Sequence, residues 1–209
     1  MNKRVVVTGL GVVSPNGTGL EEFKDAISSG KSGIRYDETL EKMKLTCRIS
    51  GRPEYDESKL KEFLPGGLLA KLENRAMKHA CLAGAEAWLD AGLEFIPNDQ
   101  NPDWDSGMVF GVGSLAMGEF IRDKIRIAEE SMPRRIGPRV VEQTMNSGAI
   151  TYLNRIIGFG NLVLSNSNAC STGTEAAIIG YERIKAGKAK RMLCGSTESE
   201  GWLIWSAFD

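Results

Sequence analysis

The chain is poor in histidine, in closely paired cysteines and in long apolar runs. Its 209 residues contain one histidine, His79, and four widely spaced cysteines with no C-x-x-C pair. One histidine among scattered cysteines does not make a common zinc site. We therefore expect no metal and no other cofactor. A serine nucleophile would need His79 as its base, yet this histidine lies inside an alanine-rich helical pattern, which disfavours a serine-hydrolase site.

The sequence also lacks net charge and membrane-type segments. Its 26 basic and 27 acidic side chains nearly cancel, so bulk electrostatics gives no reason to expect a nucleic-acid partner. No apolar run reaches the length of about 20 residues that a membrane span needs, and the N-terminal run turns polar at Thr8, unlike a secretory signal. Four cysteines in a domain of this size need not form disulfides. We expect a cytoplasmic protein with no membrane partner.

Strand-like and helix-like patterns alternate along the chain. Apolar, often β-branched runs predict strands at 3–8, 108–113, 162–165 and 190–195. Helical spacing predicts helices at 18–29, 69–93, 117–130, 140–157 and 170–186. This alternation predicts an α/β fold with a mostly parallel sheet covered on both faces. The segment 30–67 has weak periodicity, and we expect it to be a surface excursion within the domain.

The segment 202–209 is strongly apolar. An exposed apolar patch of this kind is typical of a surface that meets a partner, and we expect the chain to be the front part of a longer protein. The alternative is a segment that docks on the chain's own core.

Cys170 is the strongest candidate for a reactive group. It lies between the apolar run 162–164 and a helical pattern that begins with small residues. The first N–H groups of a helix lack partners within the helix, and the positive end of its dipole favours an anion such as a thiolate. Local features thus favour Cys170 as a nucleophile. For Cys47, Cys81 and Cys194 we expect the ordinary role of a small buried apolar residue.

Two glycine pairs follow predicted strands, at Gly9-x-Gly11 and Gly111-x-Gly113. The strict G-x-G-x-x-G motif of dinucleotide-binding sites is absent, although Ala116 would complete a variant of the second pair. Such isolated matches are weak indications of nucleotide binding.

Three arginines, Arg134, Arg135 and Arg139, lie close to Pro133 and Pro138. A basic cluster is commonly a solvated face. The alternative is a docking site for an acidic partner, since arginine suits carboxylate and phosphate groups.

Taken together, these segments resemble the N-terminal half of a β-ketoacyl-(acyl carrier protein) synthase of the elongating type, in the thiolase-like superfamily. The resemblance begins with residues 4–15, RVVVTGLGVVSP, and continues through 111–113. It is most specific at 168–173, NACSTG, and at 194–198, CGSTE. It covers nearly all of the chain.

The resemblance implies a thiolase-like layered αβαβα fold with a mostly parallel mixed sheet, of which residues 1–209 supply the first of two similar halves. Cys170 would accept the acyl group of an acyl thioester as a thioester, and its N–H would serve an oxyanion hole. Arg134 and Arg135 would contact an acidic acyl carrier protein. Ser114 and Met145 would line the acyl pocket, Met145 across a dimer with an identical or a related synthase subunit.

The resemblance also implies an incomplete enzyme. Members of the family decarboxylate the malonyl unit with two further groups, usually histidines, from their second half, and His79 matches no such position. We expect this chain alone to be inactive in the decarboxylating Claisen condensation of fatty acid or polyketide synthesis. The alternatives are a non-condensing subunit resembling a chain-length factor, and a half-domain that only binds carrier protein.

Overall fold

The computed structural model describes residues 4–63, 67, 69–114, 119–198 and 200–209. The strands within these residues are β1 Val13–Ser14, β2 Gly17–Thr18, β3 Ile34–Tyr36, β4 Ile49–Gly51, β5 Ser106–Val112, β6 Val163–Leu164 and β7 Arg191–Thr197. The α-helices are α1 Leu20–Ser28, α2 Glu38–Lys42, α3 Ser58–Phe63, α4 Arg75–Asp90, α5 Glu119–Glu129, α6 Arg139–Thr144, α7 Gly148–Ile157, α8 Thr172–Lys185 and α9 Trp202–Ser206. Short 3₁₀ turns occupy Leu69–Lys71, Pro133–Arg135 and Ala169–Ser171.

The central sheet is parallel, with the strand order β6-β5-β7. All seven residues of β5 are buried, as expected of a strand that has neighbours on both sides and helices on both faces. The remaining described strands form two small antiparallel pairs, β1 with β2 and β3 with β4. The prediction of a mostly parallel α/β sheet is therefore confirmed.

The two faces of the sheet carry different side chains, because successive residues of a strand point to opposite sides. On one face, Met108, Phe110, Val112 and Leu193 join the main apolar core, together with residues of α4 and α7. On the other face, β5 and β7 present glycines and small residues to α8: a Cβ at Gly173 would lie 2.7 Å from Ser196 Oγ. The result is a three-layer αβα arrangement.

The alanine-rich helix α4 packs closely on its neighbours, as its small side chains indicate. Gly84 faces Leu153 of α7 without room for a Cβ, and Gly9 and Gly11 lie directly on the α4 backbone near Ala87 and Ala83. The first glycine pair therefore serves close packing of the N-terminal segment on a helix. The carboxylate of Glu86 adds to this packing by accepting the N–H groups of Val12 at 2.9 Å and Leu20 at 2.7 Å.

The strand predicted at 3–8 is wrong over its described part, residues 4–8, which form no regular structure. A strand requires a hydrogen-bonded neighbour, and no described strand pairs with this segment; Val6 and Val7 are exposed. The helix predicted from Thr18 begins at Leu20 as α1, and Thr18 is not its N-terminal cap. Gly19 takes that position with φ 91°, and Thr18 Oγ1 donates instead to the carbonyl of Glu54.

The helix predicted at 140–157 is two helices, α6 and α7. They are separated at 145–147, where Met145 has an extended backbone. The helix predicted from 69 begins its α-helical part only at Arg75, after Asn74 accepts the N–H of Ala76 as its cap. The predicted start of the helix at 117 lies outside the described residues, and its described part begins at Glu119.

The segment 30–67 and the C-terminal segment contact one another. Arg52 stacks over the Trp205 ring of α9 at 4.5 Å, and the Asp209 carboxylate accepts the N–H groups of Thr46 and Cys47. The segment 30–67 also contributes Leu60 to the main core. Phe208 is exposed, with 86% of its surface accessible, so docking buries only part of the apolar C-terminal segment.

Candidate active site

The carboxyl ends of β5, β6 and β7 meet at one edge of the sheet, as the ends of parallel strands do. The residues that follow are Gly113 and Ser114 after β5, residues 165–171 after β6, and Glu198 after β7. The Ser114 N–H donates to Glu198 Oε1 at 2.9 Å, and Ser167 Oγ donates to the Gly113 carbonyl at 3.4 Å. This edge holds the strongest sequence candidate, Cys170.

Cys170 lies on the 3₁₀ turn immediately before α8 and is exposed. The preceding residue, Ala169, has φ 46°, a left-handed conformation that costs a residue with a side chain about 1 kcal/mol. The turn places Cys170 two positions before Thr172, the first residue of α8. The strand–turn–helix context predicted for Cys170 is therefore present.

Thr172, the first residue of α8, is buried and closes this turn. Its Oγ1 accepts the N–H of Asn168 at 2.8 Å and donates to the carbonyl of Ala169 at 2.7 Å. Gly111 makes room for it, because a Cβ at Gly111 would overlap the Thr172 methyl and lie 2.6 Å from the Asn166 carbonyl. Gly111 of the second glycine pair thus allows β5 to approach the loop 167–171 that carries Cys170, which we call the cysteine turn. Ala116 lies outside the described residues.

Ser114 and Met145 lie near the site in different ways. Ser114 is half-buried at the end of β5. The side chain of Met145 is exposed, and the carbonyl of its neighbour Asn146 accepts Ser165 Oγ at 3.1 Å. The structure therefore brings Ser114 and the Met145 turn toward the segment that carries Cys170.

Arg134 and Arg135 are exposed on the 3₁₀ turn that follows α5. No ion pair joins either guanidinium to a described residue. They form a separate basic surface, with no described contact to the Cys170 turn.

The other thiols differ from one another. Burial raises the pKa of Cys81 to about 12 and that of Cys194 to about 11, which agrees with their predicted structural role. The same prediction for Cys47 is wrong, because Cys47 is exposed in the loop between α2 and β4. Its N–H binds the Asp209 carboxylate and its side chain remains on the surface.

His79 is unsuited to act as a base for a serine. It is buried on α4, and its ring packs edge-on against Tyr55 with centroids 5.2 Å apart. Its Nε2 is buried and has no hydrogen-bond partner among the described residues. Ser167 instead donates to a backbone carbonyl, so the structure does not support the serine alternative.

Sequence reasoning did not single out three residues of this site: Asn166, Glu175 and Glu198. Asn166 Nδ2 donates to the Thr172 carbonyl at 2.9 Å and to Glu175 Oε2 at 2.8 Å. An amide between a strand and a helix start was the available signal, since such residues bond to nearby backbone.

The parallel sheet between helical layers, with a cysteine turn at the carboxyl ends of its strands, defines half of a thiolase-like fold. The structure of the ishigamide ketosynthase/chain length factor matches the whole chain with a TM-score of 0.82 at 21% identity, over 50% of that protein. A type II polyketide ketosynthase solved with its acyl-carrier protein, AntDE:AntF, matches 94% of the chain with a TM-score of 0.73 at 27% identity, over 45% of that protein.

The chain belongs to the β-ketoacyl synthase family: the family model "Beta-ketoacyl synthase, N-terminal domain" matches residues 2–209. It is 26% identical to 3-oxoacyl-[acyl-carrier-protein] synthase 1 of Buchnera aphidicola, over 99% of the chain and 50% of that protein. It is 28% identical to putative polyketide beta-ketoacyl synthase 1 of Streptomyces halstedii, over 95% of the chain and 47% of that protein. The chain thus spans about half the length of these curated relatives.

None of the helices in the described residues is long and apolar enough to cross a bilayer. The cytoplasmic location expected from the sequence stays a prediction.

Proposed function

We propose that Cys170 is the acyl-accepting nucleophile of a β-ketoacyl-(acyl carrier protein) synthase, of which residues 1–209 form the N-terminal half. The supporting observation is an exposed thiol on a tight turn at the N-terminus of α8, where three parallel strands end. The thiolate attacks the carbonyl carbon of an acyl thioester, a new C–S bond forms at Cys170, and the carrier thiol leaves with a proton. Ser114 and Met145 border the space for the acyl chain.

In the complete reaction, malonyl-carrier protein loses CO₂, and the resulting carbanion attacks the acyl group on Cys170, releasing β-ketoacyl-carrier protein and the free thiol. The family resemblance assigns the decarboxylation to groups of the second half. We therefore propose that this chain alone accepts an acyl group without completing the condensation.

The test is incubation of the protein with an acyl thioester of acyl carrier protein, followed by peptide mass mapping. We expect the acyl mass on the peptide containing Cys170 and its loss in the Cys170→Ala variant. Cys47 is the internal control, because it is also exposed but lacks the helix N-terminus. Absence of an adduct at Cys170, or equal labelling of Cys47, would refute the proposed role.

Carrier-protein docking is the second part of the proposal. Arg134 and Arg135 are exposed, and among the described residues no ion pair would compete with an acidic carrier protein for these guanidinium groups. Reversing both charges to Glu should weaken carrier binding about a hundredfold, since like charges facing across an interface cost several kcal/mol. A double reversal at the exposed Lys31 and Lys44 changes the net charge equally elsewhere and should leave binding unchanged; equal losses would point to nonspecific electrostatics.

Association with a second half or with an identical or related synthase subunit stays a proposal. It is supported by the outer face of α8, where Ile178 and Tyr181 are exposed, since contiguous exposed apolar residues are typical of interaction surfaces.

A further inference from the structure

Asn166 occupies a special place between β6 and the cysteine turn. Its backbone carbonyl accepts the N–H of Val112 at 3.2 Å, which attaches it to the central strand β5. Its side chain extends across residues 167–171 to the first turn of α8. Both of the acceptors there, the Thr172 carbonyl and the Glu175 carboxylate, require a donor, so the amide nitrogen must face them.

The five residues 167–171 form a loop with Cys170 near its end, and Asn166 ties the two ends of this loop together. Its amide joins the strand side at 166 to the helix side at 172 and 175. Thr172 Oγ1 makes a second, inner connection through Asn168 and Ala169. The turn holds a strained residue, and such strain persists only where surrounding contacts over-determine the backbone.

We propose that Asn166 is a positioning residue that holds the Cys170 thiol against the N-terminus of α8 through its hydrogen bonds to Thr172 and Glu175. We call the hydrogen bonds from Asn166 to Thr172 and Glu175 the Asn166 clamp. This inference rests on the proposed function, because it takes Cys170 to be the nucleophile that the clamp positions. Glu175, on α8, accepts a hydrogen bond from the Asn166 amide. Glu198, which follows β7 at the same edge of the sheet, accepts the N–H of Ser114 and so holds the Gly113–Ser114 turn. Asn166 acts through these contacts and not on the substrate.

The experiment measures alkylation of each cysteine by iodoacetamide in the full chain, by quantitative peptide mass spectrometry. The parent is compared with Asn166→Asp, which keeps the side-chain shape, removes the donor and adds a negative charge beside Glu175. The exposed Cys47 reports reagent strength, and the fully buried Cys81 reports loss of the fold. The ratio of Cys170 to Cys47 alkylation is therefore a measure of how the nucleophile is presented.

We expect Asn166→Asp to lower this ratio about two- to fivefold, the range that one helix terminus contributes to an adjacent charge. Cys81 should stay protected. Adding Glu175→Gln to Asn166→Asp supplies a donor from the other side and should restore much of the ratio. Asn168→Ala is the matched control, because it removes a side-chain amide from the same loop. The Asn168 side chain makes no hydrogen bond to a described residue, so this variant should keep the parent ratio.

A second readout uses acylation of Cys170 by an acyl N-acetylcysteamine thioester. The maximal rate should fall on the order of tenfold or more in Asn166→Asp, since small displacements of a reacting group are costly, while the half-saturating thioester concentration stays the same. An unchanged Cys170 ratio in Asn166→Asp would overturn the proposal. New reactivity of Cys81 would also overturn it, by showing a general structural role. If the parent is not acylated at all, the proposed function fails while the alkylation ratio still decides the role of Asn166.

Discussion

His79 makes the stability of this protein sensitive to mild acid. Its ring is buried on α4 against Tyr55, and Nε2 has no described hydrogen-bond partner. Burial, and then the positive charges of Arg75 and Lys78, lower the pKa of His79 from 6.5 to about 4. Folding therefore holds this histidine in its neutral form.

The sign and size of the effect follow from proton linkage. Above about pH 6.5 His79 is neutral in both the folded and the unfolded chain, so its titration does not lower the free energy of unfolding there. Between about pH 6.5 and pH 4 the unfolded chain takes up a proton that the folded chain does not, so stability falls as the pH falls. Each pH unit corresponds to 1.36 kcal/mol, so the loss in the free energy of unfolding over this window is about 3 kcal/mol.

The measurement is urea unfolding of the parent and of His79→Leu from about pH 7 to about pH 4. Leu is apolar, does not titrate, and removes no hydrogen bond to a described residue. Asp37 does not interfere with this measurement. Burial raises the pKa of Asp37, but hydrogen bonds from Ser50, the Thr39 N–H and Arg52 lower it more, from 3.8 to about 2. The contribution of Asp37 to the free energy of unfolding is therefore lost only below about pH 3.8. Parallel stability curves for parent and variant would refute the reasoning.

Three further predictions concern packing and thiol chemistry. Gly111→Ala should destabilise the fold by about 2–3 kcal/mol through overpacking and abolish acylation. Gly92→Ala has open space but φ 71° and should cost only about 1 kcal/mol in urea unfolding; equal acylation by the two variants would contradict the steric argument. Glu86→Gln loses one acceptor for two N–H groups and should lower the unfolding free energy by about 2 kcal/mol, whereas an unchanged urea midpoint would show that the second N–H finds another acceptor. Cys81 and Cys194, with pKa values raised to about 12 and 11, should resist alkylation near pH 8 until urea unfolds the chain, and native labelling would show that they are accessible.

The sequence alone was sufficient for the family, for the parallel sheet and for the position of Cys170 between a strand and a helix. These features depend on local pattern: apolar runs form β5, β6 and β7, and helical spacing forms α4 and α8. It also placed Cys81 in a helix and Cys194 in a strand, and the structure buries Cys81 fully and Cys194 partly.

Local pattern failed where a neighbour decides the outcome. The valines at 5–7 have a high strand propensity, but a strand forms only where a partner strand is present, and none of the described strands pairs with them. Cys47 is exposed in a loop whose backbone N–H binds the Asp209 carboxylate, which is distant in sequence. Spacing alone could not foresee the break at 145–147, where the carbonyl of Asn146 meets Ser165.

The role of the glycines and the clamp around Cys170 were decided by tertiary structure. Gly111 resembled part of a nucleotide motif in sequence, yet its lack of a side chain serves the close approach of Thr172 and Asn166. Asn166 and Glu175 are nine residues apart and meet only because the chain reverses through the cysteine turn. The sequence by itself determined which residue is the nucleophile candidate, because that depends on residue type and local context. Only the tertiary structure decided what holds it in place, because those contacts join separate strands and a helix at one edge of the sheet.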